Sequence, residues 1–179
     1  MLILRSQHGD KQAYGVLVNK YMKRAYVTAL GFVGNHEGAL DLSQEAFVRA
    51  YKAIGHFDAE KNFFTWFYRI LKNLSLNFVR DRSNRARPFS EINETKLRTM
   101  RDNAQDTAAL AEQNEQRELV WKAINALKAN EKEIILLKDF QELSYKEIAD
   151  ILGCPLGTVM SRLYNARKSL KEKLERLLV

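Results

Sequence analysis

The stretch YKEIADILGCPLGTVMSRLYNARKSL, residues 145–170, sets two amphipathic helical patterns end to end with only Gly153, Cys154 and Pro155 between them. Glycine accepts the left-handed conformation that ends a helix, and proline is pre-set for the opening turn of the next. The two helices are therefore expected to meet at a sharp corner. That is the helix-turn-helix arrangement, which presents its second helix to a groove. Ser144, with Glu147 three residues on, reads as a capping box for the first helix. Ile148, Ala149 and Leu152 are expected to face inward from it. Leu156, Val159, Leu163, Ala166, Leu170 and Leu174 form one apolar stripe along the second. The side away from that stripe carries Thr158, Ser161, Arg162, Asn165 and Lys168. Hydroxyl, amide and guanidinium groups are the side chains able to read base edges in the major groove. Cys154 reads as a small core residue of the turn.

Composition asks for the polyanion such a corner would serve. The chain has 179 residues, two prolines, eight glycines and a formal charge of +7. Few turn formers and many Ala, Leu, Lys, Glu, Gln and Arg point to an all-α protein. The basic balance favours nucleic acid or an acidic membrane surface. No apolar run approaches the length of a membrane span, so membrane insertion is not expected. The opening residues are too short and polar for a secretory signal, and a single cysteine fits a reducing cytoplasm.

The charge is unevenly spread. Residues 1–87 carry 14 Lys/Arg against 7 Asp/Glu, residues 88–118 carry 4 against 7, and residues 119–179 carry 11 against 8. The acidic middle lacks sustained periodicity until about Asp106 and reads as a flexible tether between two small helical domains. In the C-terminal one, Val120, Ile124 and Leu127, then Ile134, Leu137 and Phe140, recur at helical spacing, with a break at Lys128-Ala129-Asn130.

The N-terminal module has two unusual faces. In ALDLSQEAFVRAYKAI, Ala39, Leu42, Ala46, Ala50 and Ala53 share one side of a helix. Asp41, Gln44, Glu45, Val48 and Lys52 share the other. An acidic, partly apolar face in a basic domain suits a basic protein partner. In the helix that opens at FFTWFYRIL, Phe63, Phe67, Ile70, Leu71, Leu74 and Phe78 form the buried stripe. Across from it run Thr65, Arg69, Lys72, Asn73, Leu76 and Arg80, leading into Arg82, Arg85 and Arg87. Cations beside an aromatic suit an unstacked strand, since cations follow phosphates while rings take bases. Trp66, and with it Phe64 and Tyr68, are open to that role. The preceding loop, HFDAEKNF, offers Asp58 and Asn62 to an extruded base.

The segments GDKQAYGVLVNKY, DLSQEAFVRAYKAI, HFDAEKNFFTWFYRILKNLSLNFVRDR and LSYKEIADILGCPLGTVMSRLYNARKSL, in this order and spacing, resemble the extracytoplasmic-function (ECF) group of bacterial RNA polymerase sigma factors. The resemblance spans nearly the whole chain except the tether. It implies a first domain over 1–87 (region 2), a linker over 88–112 and a second domain over 113–179 (region 4). It also implies that Asp41, Gln44, Glu45, Phe47 and Val48 dock on the β′ clamp helices of core RNA polymerase. The loop from Phe57 to Asn62 and the following helix, through Asp58, Asn62, Trp66, Arg69, Lys72, Asn73 and Arg80, would recognise and open the −10 element. The helix from Leu156 would read the −35 element, and its domain would contact the β flap. An anti-sigma factor is an implied partner. Met160 stands where a lysine is common in the family, Asn165 where an arginine is common, and Asp81 interrupts the basic tail of the first domain.

The alternative is an ordinary helix-turn-helix regulator with an N-terminal helical sensor or dimerisation domain, which needs neither the Gln44-Glu45 face nor the basic ridge. An enzyme acting on DNA is weaker. His8, His36 and His56 are not spaced as metal ligands, and neither a phosphate-binding glycine loop nor a carboxylate cluster appears. No cofactor, metal or catalytic residue is expected, and the protein is expected to confer specificity on a polymerase that does the chemistry.

Overall fold

The computed structural model describes residues 1–85 and 107–178, with side chains described at 1–83 and 115–178. Among the described residues every regular element is a helix, in keeping with the expected all-α class. The chain divides into two compact units, Met1–Asn93 and Glu94–Val179. Most of the expected linker, 88–112, lies outside the described residues. Its last part does not, because the first helix of the second unit already starts at Thr107.

The first unit contains α1 (Leu2–Gln7), α2 (Lys11–Val33), α3 (His36–Ala53) and α4 (Phe63–Arg85), with a short 3-10 turn at Ile54–His56. Helices α2, α3 and α4 pack on one another, and α1 braces α2 and the 3-10 turn. Small side chains set the approach of α2 and α3: Ala25, Ala29, Ala39, Ala46 and Ala50 are all fully buried. Asn35 caps α3 by accepting from the Gly38 N–H at 2.8 Å. A side chain at Gly38 would meet the Phe78 ring at 3.2 Å, so glycine is what lets α4 reach the start of α3. The wide core face of α4 takes in Phe63, Phe64, Phe67, Tyr68, Leu71 and Leu74. Because α4 is covered by both α2 and α3, Phe64 and Tyr68 are core residues at 1% and 0% exposure, and of the three aromatics left open for function only Trp66 remains.

The second unit contains α5 (Thr107–Asn125), α6 (Ala129–Ile135), a π-helical turn at Leu136–Phe140, α7 (Tyr145–Leu152) and α8 (Leu156–Leu177). Helix α8 packs on α5, α6 and α7 around Ile124, Ile134, Leu137, Ile148, Val159 and Leu163, all buried. Val120 and Phe140, expected at apolar positions, lie at the rim with 36% exposure each. The Phe140 ring sits 5.3 Å from that of Trp121. The corner is built as its sequence suggests. Ser144 and Glu147 exchange bonds, Ser144 N–H to Glu147 Oε2 at 2.9 Å and Glu147 N–H to Ser144 Oγ at 3.2 Å. Gly153 closes α7 in the left-handed region at φ 62°. Pro155 stands one position earlier than the first helical residue, as the N-cap of α8. Cys154 is half-buried, less enclosed than a core residue.

The approach to this corner is strained. The π turn runs into Glu142, whose φ of 55° places a bulky residue in the left-handed region. Such a backbone costs an L-residue roughly 1–2 kcal/mol, only partly offset by the chain entropy that glycine would lose. Glu142→Gly should therefore stabilise the second unit by roughly 0.5–1 kcal/mol, whereas Ser144→Ala should destabilise it by about 1 kcal/mol through loss of the cap. Urea unfolding followed by Trp121 fluorescence in a Trp66→Phe background checks both signs.

Candidate nucleic-acid interface

The face of α3 away from the alanines carries Asp41, Gln44, Glu45 and Val48, all exposed and one helical step apart. Val48 leaves 49% of its surface to solvent in the middle of this set. Glu45 is already paired with Arg49 at 2.7 Å, so part of its charge is balanced within the helix. Phe47 departs from the docking role implied for it: it is 4% exposed and stacks on Phe67 with ring centroids 4.4 Å apart. It lies on the inner side of α3, where it holds that helix against α4. The Tyr14 hydroxyl donates to the Phe47 carbonyl at 2.6 Å and ties α2 to the same point.

The loop from Phe57 to Asn62 shapes itself with the side chains expected to contact DNA. Asp58 Oδ1 accepts from the Glu60 N–H at 3.1 Å, and Oδ2 lies 3.5 Å from Lys61 Nζ. Asn62 Oδ1 accepts from the Thr65 N–H at 3.2 Å and so caps α4. These oxygens therefore serve the loop and the start of α4. Thr65, expected on the ridge, is half-buried, and its hydroxyl oxygen is enclosed without a hydrogen-bond partner among the described residues.

Trp66, Arg69, Asn73, Leu76 and Arg80 fall on the side of α4 opposite its core. Trp66 is half-buried, and Arg69, Asn73, Leu76 and Arg80 are exposed. From Trp66 to Arg80 this face is about 21 Å long at 1.5 Å per residue. Lys72 stands half-buried at its flank. Arg80 lies 3.7 Å from Asp81, so Asp81 takes part of its charge. Trp66 is supported from behind: its ring centroid is 4.7 Å from that of Phe57 and 5.6 Å from that of Phe63. A rigid aromatic at the end of a cationic ridge can hold an unstacked base while its phosphates run along the helix.

On α8, Ser161, Arg162, Asn165 and Lys168 are exposed and Thr158 is half-buried. The Ser161 hydroxyl donates to the Thr158 carbonyl at 3.1 Å, which turns its lone pairs outward. One residue of this face escaped the sequence reading. Tyr164, between Ser161 and Lys168, is 72% exposed, and an aromatic at i+3 from a serine in a stripe-bearing helix was the available signal. With Tyr145, Met160, Leu163, Arg167, Lys168 and Lys171 it lines an open groove of about 460 Å³. Arg167 is held there by a bidentate ion pair with Asp139, which raises its already high pKa and fastens α8 to the π turn. No group of three or more His, Cys, Asp or Glu among the described residues is placed to hold a metal ion.

Comparison with known proteins gives the family. Residues 17–85 match the family Sigma-70 region 2 and residues 117–170 match Sigma-70, region 4. The chain is 33% identical to the RNA polymerase sigma-H factor of Pseudomonas aeruginosa, over 99% of its own length and 94% of that protein's. It is 32% identical to the ECF RNA polymerase sigma-E factor of Escherichia coli, over 99% and 95%. The chain belongs to the ECF RNA polymerase sigma factors. Its fold is also that of CnrH, solved in complex with the cytosolic domain of CnrY, with a TM-score of 0.73 at 23% identity over 98% of this chain and 96% of that one. The sigma factor RpoE, solved with the anti-sigma factor NepR from Bartonella quintana, gives a TM-score of 0.72 at 25% identity over 90% and 96%. This sigma factor therefore directs promoter-specific transcription, and none of its described helices is long and apolar enough to cross a membrane.

The support beneath the α3 face is testable through Tyr14. Burial pushes its phenol well above the ordinary value. A phenol whose pKa rises on folding adds stability below its unfolded value, about 10, and loses it as pH climbs beyond that point. The first unit should weaken above pH about 10, and Tyr14→Phe should flatten that decline. Half-buried Tyr26, shifted the same way, leaves a remainder. Urea midpoints read by Trp66 fluorescence in a Trp121→Phe background across alkaline pH measure the difference.

Proposed function

We infer that this sigma factor acts through three separate surfaces: the outer face of α3 docks on core polymerase, the α4 ridge with its loop holds the melted −10 strand, and the outer face of α8 reads the −35 element. The observation that carries this reading is the pairing of Trp66, braced by Phe57 and Phe63, with a cationic ridge that runs from its edge. A sensor or dimerisation domain has no use for a braced ring beside a row of exposed cations. Asp41, Gln44, Glu45 and Val48 meet the β′ clamp helices, and Phe47 keeps them in place from below. Asp58 shapes the loop. Asn62, Trp66, Arg69, Lys72, Asn73 and Arg80 hold the strand. Thr158, Ser161, Arg162, Asn165 and Lys168, joined by Tyr164, face the −35 major groove.

In this reading region 2 occupies residues 1–87 and region 4 begins with α5, ahead of 113. The segment from 88 to the start of α5 links them, and region 4 also touches the β flap. An anti-sigma factor is the natural antagonist, since the RpoE relative was solved with one. The protein works in the cytoplasm, carries no catalytic group of its own and leaves the chemistry to the polymerase.

Paired substitutions test the three surfaces. Glu45→Lys should weaken binding to core polymerase by a few kcal/mol in competition assays, because it sets like charges together. Arg49→Ala, which only frees Glu45 from its ion pair, should not weaken it. At the loop, Asn62→Ser keeps the helix cap but removes the amide, and Trp66→Leu removes the ring. Each should cost roughly 1–3 kcal/mol in open-complex formation while sparing initial duplex binding, as read by permanganate footprinting. On α8, Arg162→Ala should cost about 1–3 kcal/mol on the preferred −35 sequence and relax base preference, whereas Lys168→Ala should weaken all sequences alike and lower the salt slope by about one charge. Selection from a randomised −35 library at two salt concentrations separates these outcomes. Equal behaviour of the two mutants would remove the proposed reading face.

A further inference from the structure

The loop proposed to capture the melted strand is not held by its neighbours in sequence alone. Gln7, at the end of α1, donates through Nε2 to the Ile54 carbonyl at 2.9 Å and the Phe57 carbonyl at 2.6 Å. Those two carbonyls bracket the point where the 3-10 turn opens into the loop. The Ile54 carbonyl also accepts from the Phe57 N–H at 3.0 Å, so the bonds of Gln7 close a small cage around the loop's first residue. Phe57 in turn is 6% exposed and carries Trp66 against its ring.

Gln7 is itself held. Arg5 grips the Asp10 carboxylate through Nε and Nη2 at 2.9 and 2.7 Å, while Asp10 Oδ1 caps α2 at the Ala13 N–H. Ser6, buried beside Gln7, donates to the Leu2 carbonyl at 2.9 Å. The N-terminal segment is thus a short hook, fixed at its base to α2, with one amide reaching nearly fifty residues along the chain to the base-capture loop. An amide that satisfies two carbonyls at once restricts backbone orientation more than one apolar contact would, since a misplaced carbonyl loses its partner.

We propose that Gln7 is a positioning residue for strand capture: it fixes Phe57, and through Phe57 the Trp66 ring, in the orientation that receives an unpaired base. The proposal rests on the reading of the loop and ridge as the −10 strand site. It adds that the site is completed by α1, and that holding the strand, not finding the duplex, depends on it.

The test uses the full chain assembled with core polymerase. Gln7→Leu removes the donor and keeps the bulk, and Gln7→Glu keeps the shape but presents an acceptor to two carbonyls. Both variants should bind a pre-melted −10 template about tenfold more weakly than wild type and bind a −35 duplex equally well. A Trp121→Phe background leaves Trp66 as the sole tryptophan, and iodide quenching of the free variants then reads ring position without DNA. Circular dichroism melting confirms that each variant is folded. Increased quenching together with weaker pre-melted binding supports the proposal. Unchanged quenching overturns it, as does changed quenching with wild-type capture, and near wild-type behaviour of Gln7→Glu would reduce Gln7 to a packing residue. Should Trp66→Leu leave capture of the pre-melted strand intact, the strand reading itself fails, a result distinguishable because Gln7 would still move the Trp66 signal.

Discussion

The stack of Phe47 on Phe67 joins the two surfaces of the first domain. One ring belongs to α3, the other to α4. Each lies on the inner side of its helix, so the outer faces are displayed back to back from one rigid contact. Phe63 extends the cluster toward Trp66, with ring centroids 5.9 Å from Phe67 and 5.6 Å from Trp66. Tyr14 anchors the other end through the Phe47 carbonyl. Aromatic packing of this kind favours a small number of offset and tilted geometries, which makes it a good transmitter of position.

The second domain achieves the same end with polar devices. A reciprocal cap starts α7, a left-handed glycine ends it, and the Asp139–Arg167 ion pair fastens α8 to the π turn. Ser169 adds a 2.9 Å bond from α8 to Glu131 at the head of α6. The orientation of α8 is thus shared between its buried apolar residues and these exposed bonds. Screening by salt weakens the ionic one and leaves the caps.

How far the sequence disclosed this depends on the range of the interaction. Local chemistry was legible: the Ser144–Glu147 box, Gly153, and the alanine side of α3 follow from spacing alone. So did the exposed sets Asp41–Gln44–Glu45–Val48 and Ser161–Arg162–Asn165–Lys168. Phe47 was not placed on the inner side and carried only the docking role implied by the resemblance, although it lies one helical turn from buried Ser43 and Ala50. Phe64 and Tyr68 were misplaced because a stripe assumes one neighbour, and α4 has two. Asp58 and Asn62 looked available because a side chain's bond to its own loop leaves no mark on hydrophobic pattern. The π turn and the left-handed Glu142 had no sequence signal, since neither glycine nor proline marks them. Least legible was Gln7, whose partners are carbonyls nearly fifty residues away.

The alanine face of α3 carries a consequence for how such a protein can diverge. Where methyl groups alone separate two helices, the interaxial distance is near its minimum, and any larger residue pushes the helices apart. Ala39, Ala46 and Ala50 therefore act as a spacer of fixed thickness behind the outer face of α3. The residues in front of that spacer can be exchanged without disturbing what lies behind it. A substitution on the outer side leaves the approach of the helices unchanged, while enlarging any one alanine on the inner side moves the whole outer face outward.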